Sequence, residues 1–227
     1  MQVCELKSDV LVAAVCEAEG EIGCNCEIQA CGQRRWCHDW LMSVREARSG
    51  DEHHLAIVRV RSWQQGYAGI VDAEYLASLS VEENAVRWST ILEQQSGSRR
   101  ILVFDHQARA EQPSTVVGYS TFGPYRIATG DDKTLEIGEL AQPGTIGEIY
   151  GFYVHPDHWG SQVANELMNA TLSALIDDEW PTVRLWVLKD NGRARRFYER
   201  HGWHADGAEA PLSVGGNPLE LRYRRNL

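Results

Sequence analysis

The chain has 227 residues, of which 43% are hydrophobic and 24% are charged, a composition typical of a soluble globular protein. Its formal net charge of −10 argues against a nucleic-acid-binding protein, which needs a basic face. No apolar run approaches the length of a membrane span, and the apolar segment 10–16 is too short for a signal peptide, so we predict a cytoplasmic protein.

All six cysteines lie within the first 37 residues, so the main body of the chain needs no disulfide. A zinc site is conceivable from the last four cysteines and the histidine that follows them: Cys24, Cys26, Cys31, Cys37 and His38. These residues lack paired Cys-x-x-Cys spacing, however, and we expect no metal.

The composition changes near residue 42 and indicates two regions. Residues 1–41 form a Cys-rich extension, and residues 42–227 form one folded domain. The extension is either a real appendage or an over-extended reading frame, with Met42 as the true start. The second interpretation is favoured because this stretch offers too little periodic apolar surface to fold alone.

Hydrophobic periodicity in the second region predicts a mixed α/β domain. Predicted helices are 51–62, 73–79, 81–95, 160–178 and a short one capped by Asn191 and closed by Gly202. Predicted strands are 43–48, an antiparallel pair made of "RRILVFDH" and "STVVGYSTFGP", then 146–154, 182–188, 203–206 and 218–224. Segments 106–113 and 126–145 are predicted as a connection and an irregular insertion.

Three stretches are informative through their order and spacing. They are "IYGFYVHPDHWG", the amphipathic helix after it, and "LWVLKDNGRARRFYERHGW". Together they resemble the GNAT superfamily of N-acetyltransferases, over residues 42–227. The resemblance implies a central, largely antiparallel sheet with a splayed parallel pair, flanked by helices. It also implies acetyl-CoA as co-substrate and a primary amine as acceptor.

The resemblance assigns a cofactor site to the splayed strand and to the turn after it. Backbone groups of Phe152, Tyr153 and Val154 match those that pair with the pantetheine arm. The turn and the first helical turn would offer amide groups to the pyrophosphate; they match Trp159, Gly160, Ser161, Gln162, Val163, Ala164 and Asn165. Asn191 matches a residue that contacts the cofactor arm and is also a helix N-cap.

The turn departs from the family pattern Q/R-x-x-G-x-G/A. Trp159 replaces the Arg or Gln, and Gln162 replaces a glycine that lets the backbone approach the pyrophosphate. Ser161 lacks the positive charge often found there. We expect these changes to weaken acetyl-CoA binding.

Two residues are candidates for proton transfer. Tyr198 matches the usual general acid of the family and could protonate the leaving thiolate. Glu148, placed by alternation on the strand face of Tyr150, Phe152 and Val154, is either a general base or a carboxylate that is exposed at the strand end or held in an ion pair.

The aromatic residues Trp63, Tyr67 and Tyr125 are candidates to line the acceptor pocket. One of Arg193, Arg195 and Arg196 could contact a phosphate, although a solvated helix face is the simpler interpretation.

We therefore predict direct acetyl transfer from acetyl-CoA to an amine by a monomer or homodimer, with no nucleic acid, membrane or metal involved. The rival hypothesis is a catalytically idle binding module whose pyrophosphate turn has degenerated.

Overall fold

Seven strands form one mixed sheet in the computed structural model, which describes residues 42–93, 99–106, 115–126 and 146–227. The strands are β1 Met42–Glu46, β2 Arg100–His106, β3 Thr115–Pro124, β4 Gly147–Val154, β5 Thr182–Leu188, β6 His204–Pro211 and β7 Leu219–Asn226. Their order is β1-β2-β3-β4-β5-β7-β6, and all neighbours are antiparallel except β4 and β5. The predicted fold class is confirmed.

Five α-helices accompany the sheet within the described part of the chain: α1 Glu52–Gly66, α2 Ala73–Ala77, α3 Val81–Glu93, α4 Val163–Asp177 and α5 Gly192–Arg200. The predicted N-cap of α5, Asn191, is confirmed, and Ser80 caps α3. Ser80 Oγ accepts the N–H of Glu83 at 3.1 Å, and Asn191 Oδ1 accepts the N–H of Ala194 at 3.1 Å. None of these helices is long and apolar enough to cross a membrane.

Both faces of the sheet are covered by helices. Alternate residues of β2 illustrate this, because Leu102 and Phe104 belong to the same core cluster as α4, whereas Ile101 and Val103 pack with α1 and α3. On α4, Leu167, Met168 and Leu175 are fully buried, and each such side chain contributes about 1.5–3 kcal/mol through burial.

Strand β6 is longer than predicted. The sequence predicted a strand over residues 203–206. In the structure Gly207 has φ of +92° and lies in an irregularity between Ala205 and Glu209, after which pairing with β7 resumes.

The predicted extension 1–41 and most of the predicted connection and insertion, 107–113 and 127–145, lie outside the described residues. The division of the chain at residue 42 therefore stays a prediction.

Candidate active site

The two parallel strands pair over only part of their length. β4 is paired with β5 from Gly147 to Ile149, opposite Val183 to Leu185, and not beyond. A cavity of about 520 Å³ is lined by the unpaired part of both strands. The predicted splay is therefore present, and it leaves backbone polar groups that water or a ligand must satisfy.

A bulge in β4 lies where the two strands separate. Phe122 of β3 is opposite Ile149, and Thr121 is opposite Gly151, so Tyr150 is an extra residue in β4. The Tyr150 hydroxyl donates a hydrogen bond of 2.6 Å to the carbonyl oxygen at position 124, which anchors the bulge to the end of β3.

The bulge changes which side chains share a face. Ile149 packs in the same core cluster as Phe152 and Val154. Glu148, one residue away from Ile149, therefore lies on the opposite face together with Tyr153. The prediction that Glu148 shares a face with Phe152 and Val154 is wrong, because strict alternation does not allow for the extra residue.

The unpaired parts of β4 and β5 leave an opening between them, and backbone groups at alternate positions of β4 point into this opening. His155 N–H donates to Val117 O at 2.7 Å, immediately beyond the Gly118–Val154 pair. That pair is consequently a non-hydrogen-bonded one, and Val154 and, two residues earlier, Phe152 direct their N–H and C=O groups away from β3. The backbone groups of Tyr153 face β3 instead, so Tyr153 reaches the cavity by its side chain.

The carbonyl of Val154 already has two donors. Ser62 Oγ, on α1, donates to it at 2.9 Å, and Trp159 Nε1 donates at 2.8 Å. These bonds fix the indole at the mouth of the opening and leave Val154 N–H and the Phe152 groups for a ligand.

The turn between β4 and α4 follows Trp159. Gly160 has φ of +79°, which favours glycine, and α4 begins at Val163. Ser161 Oγ donates to His158 O at 2.6 Å and accepts from Val163 N–H at 3.3 Å.

Gln162 is the N-cap residue of α4, with an exposed side chain. Its Oε1 accepts from Asn165 Nδ2 at 2.9 Å, so the side chain lies along the first helical turn. Of the other turn residues named from the sequence, Val163 is buried in the core and Ala164 packs against it. Any contact of these two with a ligand is therefore through the backbone.

An arginine bridges the mouth of the opening. The Arg193 guanidinium lies 3.3 Å from the centroid of the Trp159 ring. It also passes close to the end of α1, since a Cβ at Gly66 would lie 3.3 Å from Arg193 Nη2. Of the three arginines considered from the sequence, only Arg193 lines the cavity, whereas Arg195 bonds to Tyr223 Oη and Lys189 O.

Five of the described residues that line the cavity are tyrosines: Tyr67, Tyr75, Tyr150, Tyr153 and Tyr198. Burial, followed by the neighbouring Tyr153, raises the pKa of Tyr198 above its ordinary value. Burial, followed by Tyr153 and Tyr198, likewise raises the pKa of Tyr67. At neutral pH the hydroxyls of Tyr67 and Tyr198 are therefore protonated and can donate hydrogen bonds into the cavity.

Glu148 is 2% exposed and lines the cavity. Its Oε2 accepts from the backbone N–H of Arg126 at 2.9 Å and from Nε at 3.2 Å, and its Oε1 accepts from Nη2 at 2.6 Å. A carboxylate has about four lone-pair sites. The Arg126 bonds fill those of Oε2 and leave one on Oε1, which is where a proton can be received.

The remaining predicted site residues separate into two groups. Trp63, Tyr67 and Asn191 line the cavity, and Asn191 also caps α5. Tyr125 is not brought to the cavity. It is buried, with the Arg184 guanidinium 4.8 Å from its ring centroid and Arg222 Nη1 3.2 Å from its hydroxyl. These contacts with Arg184 and Arg222 hold the Tyr125 side chain outside the cavity lining.

Several cavity residues escaped the sequence analysis: Arg59, Arg126 and Glu220. Arg126 was assigned to an irregular segment, and its partner Glu148 is 22 positions away. The helical position of Arg59 was predictable from periodicity, but its direction depended on how α1 packs on the sheet.

The comparisons with known proteins decide the family. A model of the acetyltransferase (GNAT) family matches residues 57–203. The chain belongs to the GNAT family. This family is a class of acyl-CoA-dependent acetyltransferases, so the protein is an N-acetyltransferase of that class, with acetyl-CoA as its co-substrate.

Relatives and solved structures agree with this membership. An uncharacterized N-acetyltransferase of Bacillus subtilis, YuaI, is 26% identical over 152 residues, which cover 66% of this chain and 74% of YuaI. The PaiA N-acetyltransferase of Thermoplasma acidophilum, solved with coenzyme A, has a TM-score of 0.54 at 18% identity, covering 82% of this chain and 99% of its own. The acetyltransferase YncA of Salmonella typhimurium, solved with acetyl-CoA, has a TM-score of 0.55 at 16% identity, covering 82% and 94%. These two structures share the fold of this GNAT protein.

Proposed function

We propose that the protein acetylates a primary amine by direct attack within a ternary complex, with the acetyl-CoA arm in the opening between β4 and β5. The observation that carries this proposal is the opening itself, where Phe152 and Val154 direct backbone groups into a cavity that Tyr198 and Glu148 also line.

The opening fits an extended arm that carries amide groups. The outward N–H and C=O of Phe152 and the N–H of Val154 can pair with such amides as an added strand would. The first turn of α4 offers N–H groups to the pyrophosphate, and Arg193 adds a positive charge at the same mouth.

The chemistry needs one proton removed and one supplied. Acetyl-CoA supplies the thioester acyl group. As the C–N bond forms, Glu148 Oε1 takes the amine proton, directly or through a water, and as the C–S bond breaks, Tyr198 Oη gives a proton to the thiolate. Exchange of protons with solvent restores both side chains. Direct transfer involves no acetylated enzyme, and none of the described residues that line the cavity is a cysteine.

We propose a cytoplasmic location for the protein. The rival hypothesis of an idle module gains nothing from the structure, since the opening, Asn191 and Tyr198 are in place around one cavity.

The test of this mechanism is turnover of the Tyr198→Phe variant, measured as thiol release from acetyl-CoA with an amine that the wild type acetylates. We expect turnover to fall about 10- to 1000-fold with acetyl-CoA affinity little changed, because only proton donation is lost. Tyr125→Phe is the matched control, since it removes a buried hydroxyl outside the cavity. Wild-type turnover in Tyr198→Phe would remove this residue from the mechanism.

A further inference from the structure

A second, smaller cavity lies beside the first, on the sheet face covered by α1 and α3. Its volume is about 250 Å³, and it shares Arg59, Arg87, Tyr150, Gly151 and Tyr153 with the lining of the larger cavity. The two cavities are therefore adjacent at the bulge of β4.

Three guanidinium groups line this second cavity, and each comes from a different part of the chain. Arg59 is on α1, Arg87 is on α3, and Arg99 immediately precedes β2. None of the described side chains lining this cavity is acidic. In the parts of the chain that the structure describes, the ion pairs involve other arginines, and no carboxylate pairs with these three.

Aromatic rings hold two of these groups in place. The Arg59 guanidinium is 4.6 Å from the centroid of the Trp63 ring and 5.9 Å from that of Tyr153. The Arg99 guanidinium is 5.2 Å from the Tyr150 ring centroid. Stacking positions a guanidinium without neutralising it, so the positive charge remains for a ligand.

The two cavities differ in their charged lining. The larger one contains the carboxylates of Glu148 and Glu220 as well as arginines, two of which, Arg59 and Arg87, it shares with the smaller one. All the described charged residues that line the smaller one are arginines. Clustered guanidinium groups in a partly buried site favour a carboxylate or phosphate, which they bind with paired hydrogen bonds. The volume suits one such group and a few carbon atoms, not a polymer.

We propose that the acceptor of this enzyme is a small amine that carries a carboxylate or phosphate group, and that Arg59, Arg87 and Arg99 bind this anion while the amine lies near Glu148. This inference rests on the proposed function and specifies its substrate class.

The test compares amines that differ only in the anion, using the full chain and acetyl-CoA. One pair is phosphoethanolamine and ethanolamine, and the other is β-alanine and β-alaninamide. In at least one pair, we expect the amine that carries the anionic group to have a kcat/KM about tenfold or more above that of the amine without it. The pair that shows this difference identifies the preferred group as phosphate or carboxylate. Equal or better use of the neutral member in both pairs would overturn the proposal.

Variants of the cavity arginines test whether a preference for amines with an anionic group arises in the smaller cavity. Arg87 and Arg99 are exposed, so Arg87→Gln and Arg99→Gln should fold. Each should raise KM for the charged amine about 10- to 100-fold, as expected for a lost hydrogen bond to a charged group, with kcat and neutral amines little affected. Arg61→Gln, an exposed position on α1 outside both cavities, is the control and should match the wild type.

Binding measurements keep this test separate from that of the mechanism. The same four amines are titrated calorimetrically into the protein saturated with coenzyme A, where no turnover is needed. Binding of a charged amine that is lost in Arg99→Gln supports the proposal, whereas absence of binding by both charged amines contradicts it. Failure to bind acetyl-CoA at all would instead contradict the proposed function.

Discussion

At the scale of single residues, Glu148 has a double role that one variant can divide. Its three hydrogen bonds from Arg126 make it a structural anchor for the end of β3, and its remaining Oε1 lone pair makes it a proton acceptor. The first role depends mainly on hydrogen-bond acceptance, whereas the second needs a carboxylate that can take a proton.

We expect Glu148→Gln to lower turnover about 100-fold or more while the protein stays folded, because an amide oxygen can still accept from Arg126 but is not a base. The measurement is the pH dependence of kcat/KM, together with the melting temperature. Arg126→Gln is the paired variant, which should lower the melting temperature because it leaves a buried carboxylate with fewer partners. Unchanged turnover in folded Glu148→Gln would limit Glu148 to the ion pair.

Gln162 is the second informative residue, at the start of α4. Replacing it by glycine removes a Cβ and a long side chain from the place where the backbone approaches the pyrophosphate. A regained amide–phosphate hydrogen bond is worth about 1.5–3 kcal/mol, against a helix-propensity cost of at most about 1 kcal/mol.

We therefore expect Gln162→Gly to bind acetyl-CoA about tenfold more tightly in calorimetric titration at matched salt. Gln162→Ala distinguishes the effect of the Cβ from that of the long side chain, since it removes the side-chain amide that bonds to Asn165 and keeps the Cβ. Equal or weaker binding by the glycine variant would show that the glutamine is accommodated, with its own amide serving the phosphate.

At the scale of elements, the mouth of the opening joins α1, α5 and the turn before α4. The Arg193–Trp159 contact spans it, and Gly66 provides the space for the guanidinium. This arrangement places a positive charge beside the first turn of α4, so it compensates for the uncharged Ser161 in the turn.

Arg193→Ala should weaken acetyl-CoA binding about 10- to 100-fold, since a charged contact to phosphate is lost. Arg196→Ala, on the same helix but outside the cavity lining, is the control. The comparison of acetyl-CoA with its dephosphorylated pantetheine thioester gives the sharper readout, because the variant should lose affinity only for the phosphorylated compound. An equal loss for both would mean that Arg193 supports the fold of the mouth and not phosphate binding.

Elements were predictable from the sequence where the determining contacts are local. Helix α4 follows from its apolar stripe, and α5 follows from Asn191 and Gly202 at its ends. The bulge at Tyr150 was not predictable, because the residue pattern of β4 is compatible both with a regular strand and with a strand that contains an extra residue. The Arg126–Glu148 pair and the direction of Arg59 were missed for a related reason, because both depend on contacts between elements distant in sequence.

At the scale of the whole molecule, the buried tyrosines predict how stability depends on alkaline pH. Burial, as the first cause, raises the pKa of Tyr67, Tyr119 and Tyr198 in the folded protein. Above the unfolded-state pKa of about 10, the unfolded chain loses these protons and the folded one keeps them. Stability is therefore expected to be complete below pH about 10 and to fall as pH rises through the folded-state values.

The measurement is the urea midpoint of unfolding between pH 8 and 11. It should be constant to about pH 10 and then decrease, and the decrease should be smaller in Tyr119→Phe. A midpoint that is as high at pH 11 as at pH 8 would contradict the burial of these hydroxyls.

The start of the folded domain at residue 42 gives a second prediction at the scale of the whole molecule. Strand β1 begins at Met42 and pairs with β2 from its first residue, opposite His106. We expect a protein that starts at Met42 to melt at the temperature of the full chain. Loss of soluble protein on this truncation, or stoichiometric zinc in the full chain, would show that residues 1–41 have a structural role.

The central claim is that acetyl-CoA binds in the opening between β4 and β5, and amide hydrogen exchange with and without acetyl-CoA tests it most directly. The N–H groups of Phe152 and Val154 point into the opening, so they should exchange rapidly in the free protein and become protected by the ligand, together with those of residues 160–165 at the start of α4. The amides of β1 and β2 should be unchanged. Protection that appears elsewhere, or Phe152 and Val154 amides that exchange as rapidly with saturating acetyl-CoA as without it, would contradict the account.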